Sequence, residues 1–129
     1  MTDLVLVKLI TVPSMVIAAV LLFWLARVSA RGTLKRNLVA GYRTSTTLTN
    51  DATWRAGHLA SVRFSALAGV VAAVTALAIG LSSRFEPAVW WCLGGCLVML
   101  AVVLAGAVAA QRAAKEVLRS GRHPEVAEG

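Results

Sequence analysis

The chain has 129 residues, 58% of them hydrophobic and 15% charged, with a formal net charge of +7 and a mean hydropathy of +0.75. A soluble domain of this size could not bury so much apolar surface, and the apolar residues come in long blocks rather than at amphipathic spacing. Alternating ten-residue apolar and polar segments are absent, which argues against a membrane barrel and for an all-α membrane protein with three transmembrane helices.

The first run, Leu4 to Ala26, holds only Lys8 among charged residues. A helix needs about 20 mostly apolar residues to cross the hydrocarbon core, so a first span is expected over residues 4–27. Val28-Ser29-Ala30 faintly resembles a signal cleavage site, but the start is not basic, the run is too long and Arg27 follows it, so an uncleaved helix is expected. Pro13 predicts a local kink. Gly32 predicts a left-handed stop just past Arg31.

A connector follows over residues 28–63. Its stretch from Thr33 to Thr49 has no helical period and is rich in turn-forming and hydroxyl residues. Thr49 and Asn50 are both suitable N-caps, and Asp51 suits the helix dipole. No proline intervenes before Leu81, so one helix is expected to run from the membrane surface into a second span over 64–82. Pro87 to Ala110 carries no charge and predicts a third span, followed by a charged, partly disordered tail over 111–129. The whole is a single membrane domain.

Gly69, Gly80, Gly94, Gly95, Ala101, Ala105 and Ala109 supply small faces for close helix approach, within the chain or in a homo-oligomer. Cys92 and Cys96 lie four apart on the third helix and read as small buried apolar residues; neither a disulfide nor a metal site fits that setting. No metal or other cofactor is implied.

Basic residues predict the orientation. The first connector and its borders hold Arg27, Arg31, Lys35, Arg36, Arg43, Arg55 and Arg63, whereas the second connector has only Arg84, offset by Glu86. The Lys/Arg excess marks cytoplasmic segments, so the first connector and the C-terminus are expected in the cytoplasm and the N-terminus outside. The high pI then reads as topology plus attraction for anionic lipid headgroups, not as nucleic-acid binding. The spans are free of ionisable residues between Leu9 and Ala26 and in the other two runs, which disfavours ion-coupled transport.

The specific polar chemistry is concentrated between Arg36 and His58. Gly41 permits a tight turn, and Arg43 offers a planar fork for carboxylate or phosphate. Thr44, Thr46 and Thr47 add hydroxyls, and the amides of the helix start at Asn50 suit an anion. Trp54 and His58, one turn apart, would close one side of such a pocket. A purely structural reading stands beside this one. In it Arg43 pairs with Asp51 or with backbone carbonyls, and Asn37 and Asn50 satisfy buried amides. Catalysis fits poorly: Thr44, His58 and Asp51 could be named as a triad, but Asp51 and His58 lie seven apart on a helix, too far for contact, so no enzyme is expected.

The ordered pattern Asn37-x3-Gly41-Tyr-Arg43-Thr44-x2-Thr47-Leu48-x-Asn50-x3-Trp54-x3-His58 resembles the signature of the SdpI/YhfL family of bacterial integral membrane proteins. Tyr42 stands where the family usually has an aliphatic residue, and Ser45 where it often has proline. The resemblance implies a multi-pass protein of the bacterial plasma membrane, with Asn37, Gly41, Arg43, Thr44, Thr47, Asn50, Trp54 and His58 as the motif positions. In the founding member it implies immunity to a secreted peptide toxin, and signalling by holding a transcriptional repressor at the membrane. The leading expectation is an immunity, envelope-stress or signalling protein whose cytoplasmic cap binds an anionic lipid or a membrane or regulatory protein partner. The alternative is an accessory subunit that packs against a larger envelope transporter or synthase.

Overall fold

The computed structural model describes residues 2–37 and 39–120. Three helices dominate: α1 (Thr2–Arg31), α2 (Asp51–Leu81) and α3 (Phe85–Ser120), with no strand among the described residues. Each is long and apolar enough to cross a membrane, which makes this an all-helical, three-span protein. At about 1.5 Å rise per residue, α2 and α3 are longer than a bilayer core requires, so both extend past it at the end where the connector lies.

The central helix is α2. It packs against α1 on one side and α3 on the other, while α1 and α3 scarcely meet. This layout follows from side-chain size. The buried positions of α2 include Ser61, Ser65, Ala68, Gly69, Ala72, Thr75 and Ala76, and such residues let helix backbones approach closely where lipid offers no hydrophobic drive. The larger apolar residues of α1 and α3, such as Leu9, Ile17, Leu97 and Leu104, face outward.

The small residues expected to mediate packing divide into two groups. A Cβ on Gly69 would sit 3.0 Å from the Phe23 ring, and one on Gly95 would collide with the Thr75 side chain. Gly80 and Gly94 have nothing within 4 Å of that position. Two glycines not singled out from sequence, Gly57 and Gly106, also sit in tight contacts: a Cβ on Gly57 would lie 3.1 Å from the Ala110 carbonyl oxygen.

The helix ends are closed by local chemistry. Gly32, with φ of 67°, lets the amides of Gly32 and Thr33 reach back to the carbonyls of Ser29 and Val28, the double closure of a left-handed helix stop. At the opposite end of the bundle Lys8 donates from Nζ to the Gly80 carbonyl at 3.0 Å. The one cation in the first apolar run therefore serves a carbonyl near the C-terminus of α2, where helix carbonyls lack partners. Helix α1 continues through Pro13 as one element. Helix α3 runs ten residues past Ala110, with Ala114 fully buried, so the first part of the expected tail is ordered helix; the stretch 121–129 lies outside the described residues. Cys92 and Cys96 are free and half-buried rather than fully buried.

Candidate functional site

The connector between α1 and α2 folds into a cap over the ends of the helices, and nearly every polar motif residue has a definite bonding role in it. Asn37 builds the first turn: its Oδ1 accepts from the amides of Val39 and Ala40 at 2.9 and 2.8 Å. Its Nδ2 donates to the Lys35 carbonyl at 2.8 Å. Gly41 follows with φ of 102°, a conformation that disfavours any residue with a Cβ. A Cβ there would also collide with Nε2 of His58.

Past that turn the chain dives inward. Tyr42 is buried, and its ring enters the seam between α2 and α3. Ser65 Oγ donates to its hydroxyl at 3.4 Å, and a Cβ on Gly106 would collide with that hydroxyl. The Thr44–Thr47 pair then reverses the chain. Thr44 Oγ1 accepts from the Thr47 amide at 3.1 Å, and Thr47 Oγ1 accepts from the Thr44 amide at 2.9 Å. Thr47 is fully buried, with its hydroxyl 2.8 Å from the Tyr42 carbonyl.

The start of α2 is a reciprocal cap. Asn50 Oδ1 accepts from the Thr53 amide at 2.8 Å, and Thr53 Oγ1 accepts from the Asn50 amide at 3.0 Å. Thr53 Oγ1 is also within 3.1 Å of the Thr47 carbonyl, which ties the helix start to the preceding turn. Thr53 did not stand out in the sequence, although its three-residue offset from Asn50 is the spacing of a capping box.

Trp54 and His58 form the floor of the cap. Trp54 is 2% exposed and donates from its indole N–H to the Leu34 carbonyl at 2.9 Å. The two rings are in contact, tilted by 34° with centroids 4.0 Å apart. His58 is 2% exposed. Its Nε2 accepts from the Tyr42 amide at 2.9 Å, and its Nδ1 lies 2.8 Å from the Trp54 carbonyl. An amide can only donate, so Nε2 must be unprotonated and Nδ1 carries the hydrogen. Burial holds the His58 pKa below its ordinary value, with the Trp54 carbonyl pulling the other way. Both motif aromatics thus have their polar atoms engaged by groups of the cap itself.

The outer surface of the cap is cationic. Arg43 is exposed on the loop. The ion pair at Asp51 is made by Arg36, at 3.6 Å, and Arg36 also donates to the Leu48 carbonyl at 3.3 Å. Between the end of α1 and the start of α2 lies a cleft of about 400 Å³ lined by Gly32, Leu34, Lys35, Arg36, Asp51, Trp54 and Arg55. Three cations and one carboxylate surround it. Lys35, Arg36 and Arg55 were counted from the sequence only as topology signals, because nothing in their spacing shows that they converge.

The profile of the SdpI/YfhL protein family matches residues 33–109. The matched stretch is 77 of 129 residues, more than half of the chain. The chain belongs to this family. No curated protein and no solved structure matches it. The SdpI/YfhL match begins just after α1 and includes the connector, α2 and most of α3. Tyr42, His58 and Gly106, which meet in space, all fall within it. The departure at Tyr42 thereby acquires a structural account: the larger side chain is accommodated by Gly106 on α3 and touches Ser65 on α2.

Proposed function

We propose that this SdpI/YfhL protein binds an anionic ligand at its cap, in an immunity, envelope-stress or signalling role at the bacterial plasma membrane. The motif builds the cap, and the cations on its surface do the binding. What carries this reading is the cleft in which Lys35, Arg36 and Arg55 surround a single carboxylate beside the Trp54 ring. Carboxylate and phosphate are the groups such a donor set recognises. The excess of Lys and Arg on this connector supports a cytoplasmic position for it.

Trp54 supplies the readout, because its indole N–H is fixed on the Leu34 carbonyl at the cleft wall. The full chain in detergent micelles, titrated with pyrophosphate and separately with a glutamate-rich peptide, should show a saturable shift of the Trp54 indole resonance in nuclear magnetic resonance spectra. That shift should vanish in Lys35→Gln/Arg55→Gln. No saturable shift with either probe would end the reading.

The accessory-subunit alternative rests on the apolar surface groove between α2 and α3, which Gly94 lines with Val70, Val74 and Trp90. Gly94 is exposed and a Cβ there would meet nothing within 4 Å, so Gly94→Leu should add its bulk to that groove and block a partner helix while the protein stays at normal abundance. Gly69→Leu would instead collide with Phe23 inside the protein and cannot serve as that test.

A further inference from the structure

A second feature lies on α1, away from the family motif. Phe23, Trp24, Arg27, Ala30 and Arg31 line a surface groove at the cap end of that helix. Phe23, Arg27 and Arg31 are spaced by four and form one line along the helix. Phe23 also lines an apolar groove of about 500 Å³ between α1 and α2, with Val16, Val20, Ala73, Leu77 and Gly80 among its walls. The two grooves meet at the Phe23 ring.

We propose that this composite groove is a binding site for one anionic phospholipid, with its phosphate at Arg27 and Arg31 and an acyl chain running past Phe23 into the α1–α2 groove. Charge complementarity fixes the occupant. The upper part offers two guanidinium groups, which suit phosphate oxygens as forked donors. The lower part offers almost only apolar surface, of the kind that accepts a hydrocarbon chain.

The dimensions agree. From Arg27 to Val16 is eleven residues of helix, or about 16 Å. That is close to half of the roughly 30 Å hydrocarbon core, the depth that one leaflet's acyl chain occupies. The aromatic pair Phe23 and Trp24 lies just below the cations, where amphipathic rings sit near the headgroup boundary. A free anion would use only the upper part and leave the apolar groove to bulk lipid. The site is distinct from the cap cleft, since none of Lys35, Arg36 and Arg55 lines it.

Native mass spectrometry of the full chain in mild detergent tests the proposal. Phosphatidylglycerol or phosphatidylcholine with the same acyl chains is added, and an inorganic phosphate competitor is included in a parallel arm. One phosphatidylglycerol should be retained, at least five-fold over phosphatidylcholine, and millimolar phosphate should not displace it. Arg27→Gln/Arg31→Gln should remove that preference, and Lys35→Gln/Arg55→Gln should keep it. Ala73→Leu adds bulk to the groove from an exposed position on α2, one turn from the Phe23–Gly69 contact, and should cut retention several-fold while the helical content stays unchanged. Equal retention of the two lipids, full displacement by phosphate, insensitivity to the Arg27/Arg31 pair or insensitivity to Ala73→Leu would each overturn the site. Loss of the lipid on the Lys35/Arg55 pair alone would move it to the cap cleft, leaving the cap reading intact and this one refuted.

Discussion

The backbone amide of Tyr42 donates a hydrogen bond to Nε2 of His58 at 2.9 Å, across sixteen residues of sequence. This contact holds the loop down on α2. It also sets the protonation state of a buried imidazole, because the same nitrogen cannot accept from Tyr42 and carry a proton. Trp54 completes the arrangement by packing against the ring and accepting from Nδ1 through its carbonyl.

A pH dependence follows. The folded-state pKa of His58 is lowered from 6.5, chiefly by burial, so near and below that pH the unfolded chain binds a proton that the folded one resists. Stability from this group is therefore complete above the unfolded value and declines as pH falls through it toward the folded value. Thermal melting in detergent should show the gap between wild type and His58→Gln narrowing from pH 8 toward pH 5, values chosen to bracket the ordinary histidine range. A gap that stays constant or widens on acidification would contradict the tautomer assignment.

Gly41→Ala should be among the most damaging single-methyl additions in the protein. It combines a left-handed backbone, costing about 1–2 kcal/mol for a residue with a Cβ, with a collision against His58 Nε2. The expected sign is a lower melting midpoint together with loss of the slow hydrogen exchange of the Tyr42 amide. Unchanged protection of that amide would show that the loop is not held by His58.

Gly106 and Tyr42 should be energetically coupled. Gly106→Ala places a methyl against the Tyr42 hydroxyl, and such overpacking typically costs about 1–3 kcal/mol. Tyr42→Leu, which also restores the family's usual aliphatic residue, should relieve the part of that cost due to the Tyr42 ring in the double variant, the contact with Phe64 Cβ remaining. A double-mutant cycle in melting experiments measures the coupling, and strictly additive effects would exclude the contact.

Trp54 and Arg55 should separate structure from binding. Trp54→Ala removes a 2% exposed ring, a change that costs about 3–5 kcal/mol in packed cores, so the protein should fall in membrane abundance. Arg55→Gln changes an exposed cation of the cleft and should leave abundance within a factor of two while weakening the ligand-induced Trp54 shift. Equal loss of abundance in both variants, followed by immunoblot of membrane fractions, would make Arg55 part of the scaffold.

Much of the cap was legible in the residues themselves because its bonds are local. Gly32 as a helix stop, Asn50 as a cap and the unbroken helix through Leu81 depend on neighbours a few positions away, and their side-chain chemistry has few alternatives. The direction in which polar atoms point was not legible. From sequence, Trp54 and His58 could face a ligand or the protein interior, since the same one-turn spacing serves both. The ion pair at Asp51 was likewise open, and it is Arg36 that makes it.

The sequence by itself determined three apolar spans, the break between the first two and the family to which the chain belongs, because bilayer thickness and helix propensity act on contiguous residues. Only the tertiary structure decided that Lys8 serves the far end of α2, that Tyr42 enters the seam at Gly106 and that Lys35, Arg36 and Arg55 surround one cleft. Those outcomes depend on which faces of three small-residue helices meet, and that choice is set by shape and hydrogen bonding between segments far apart in the chain.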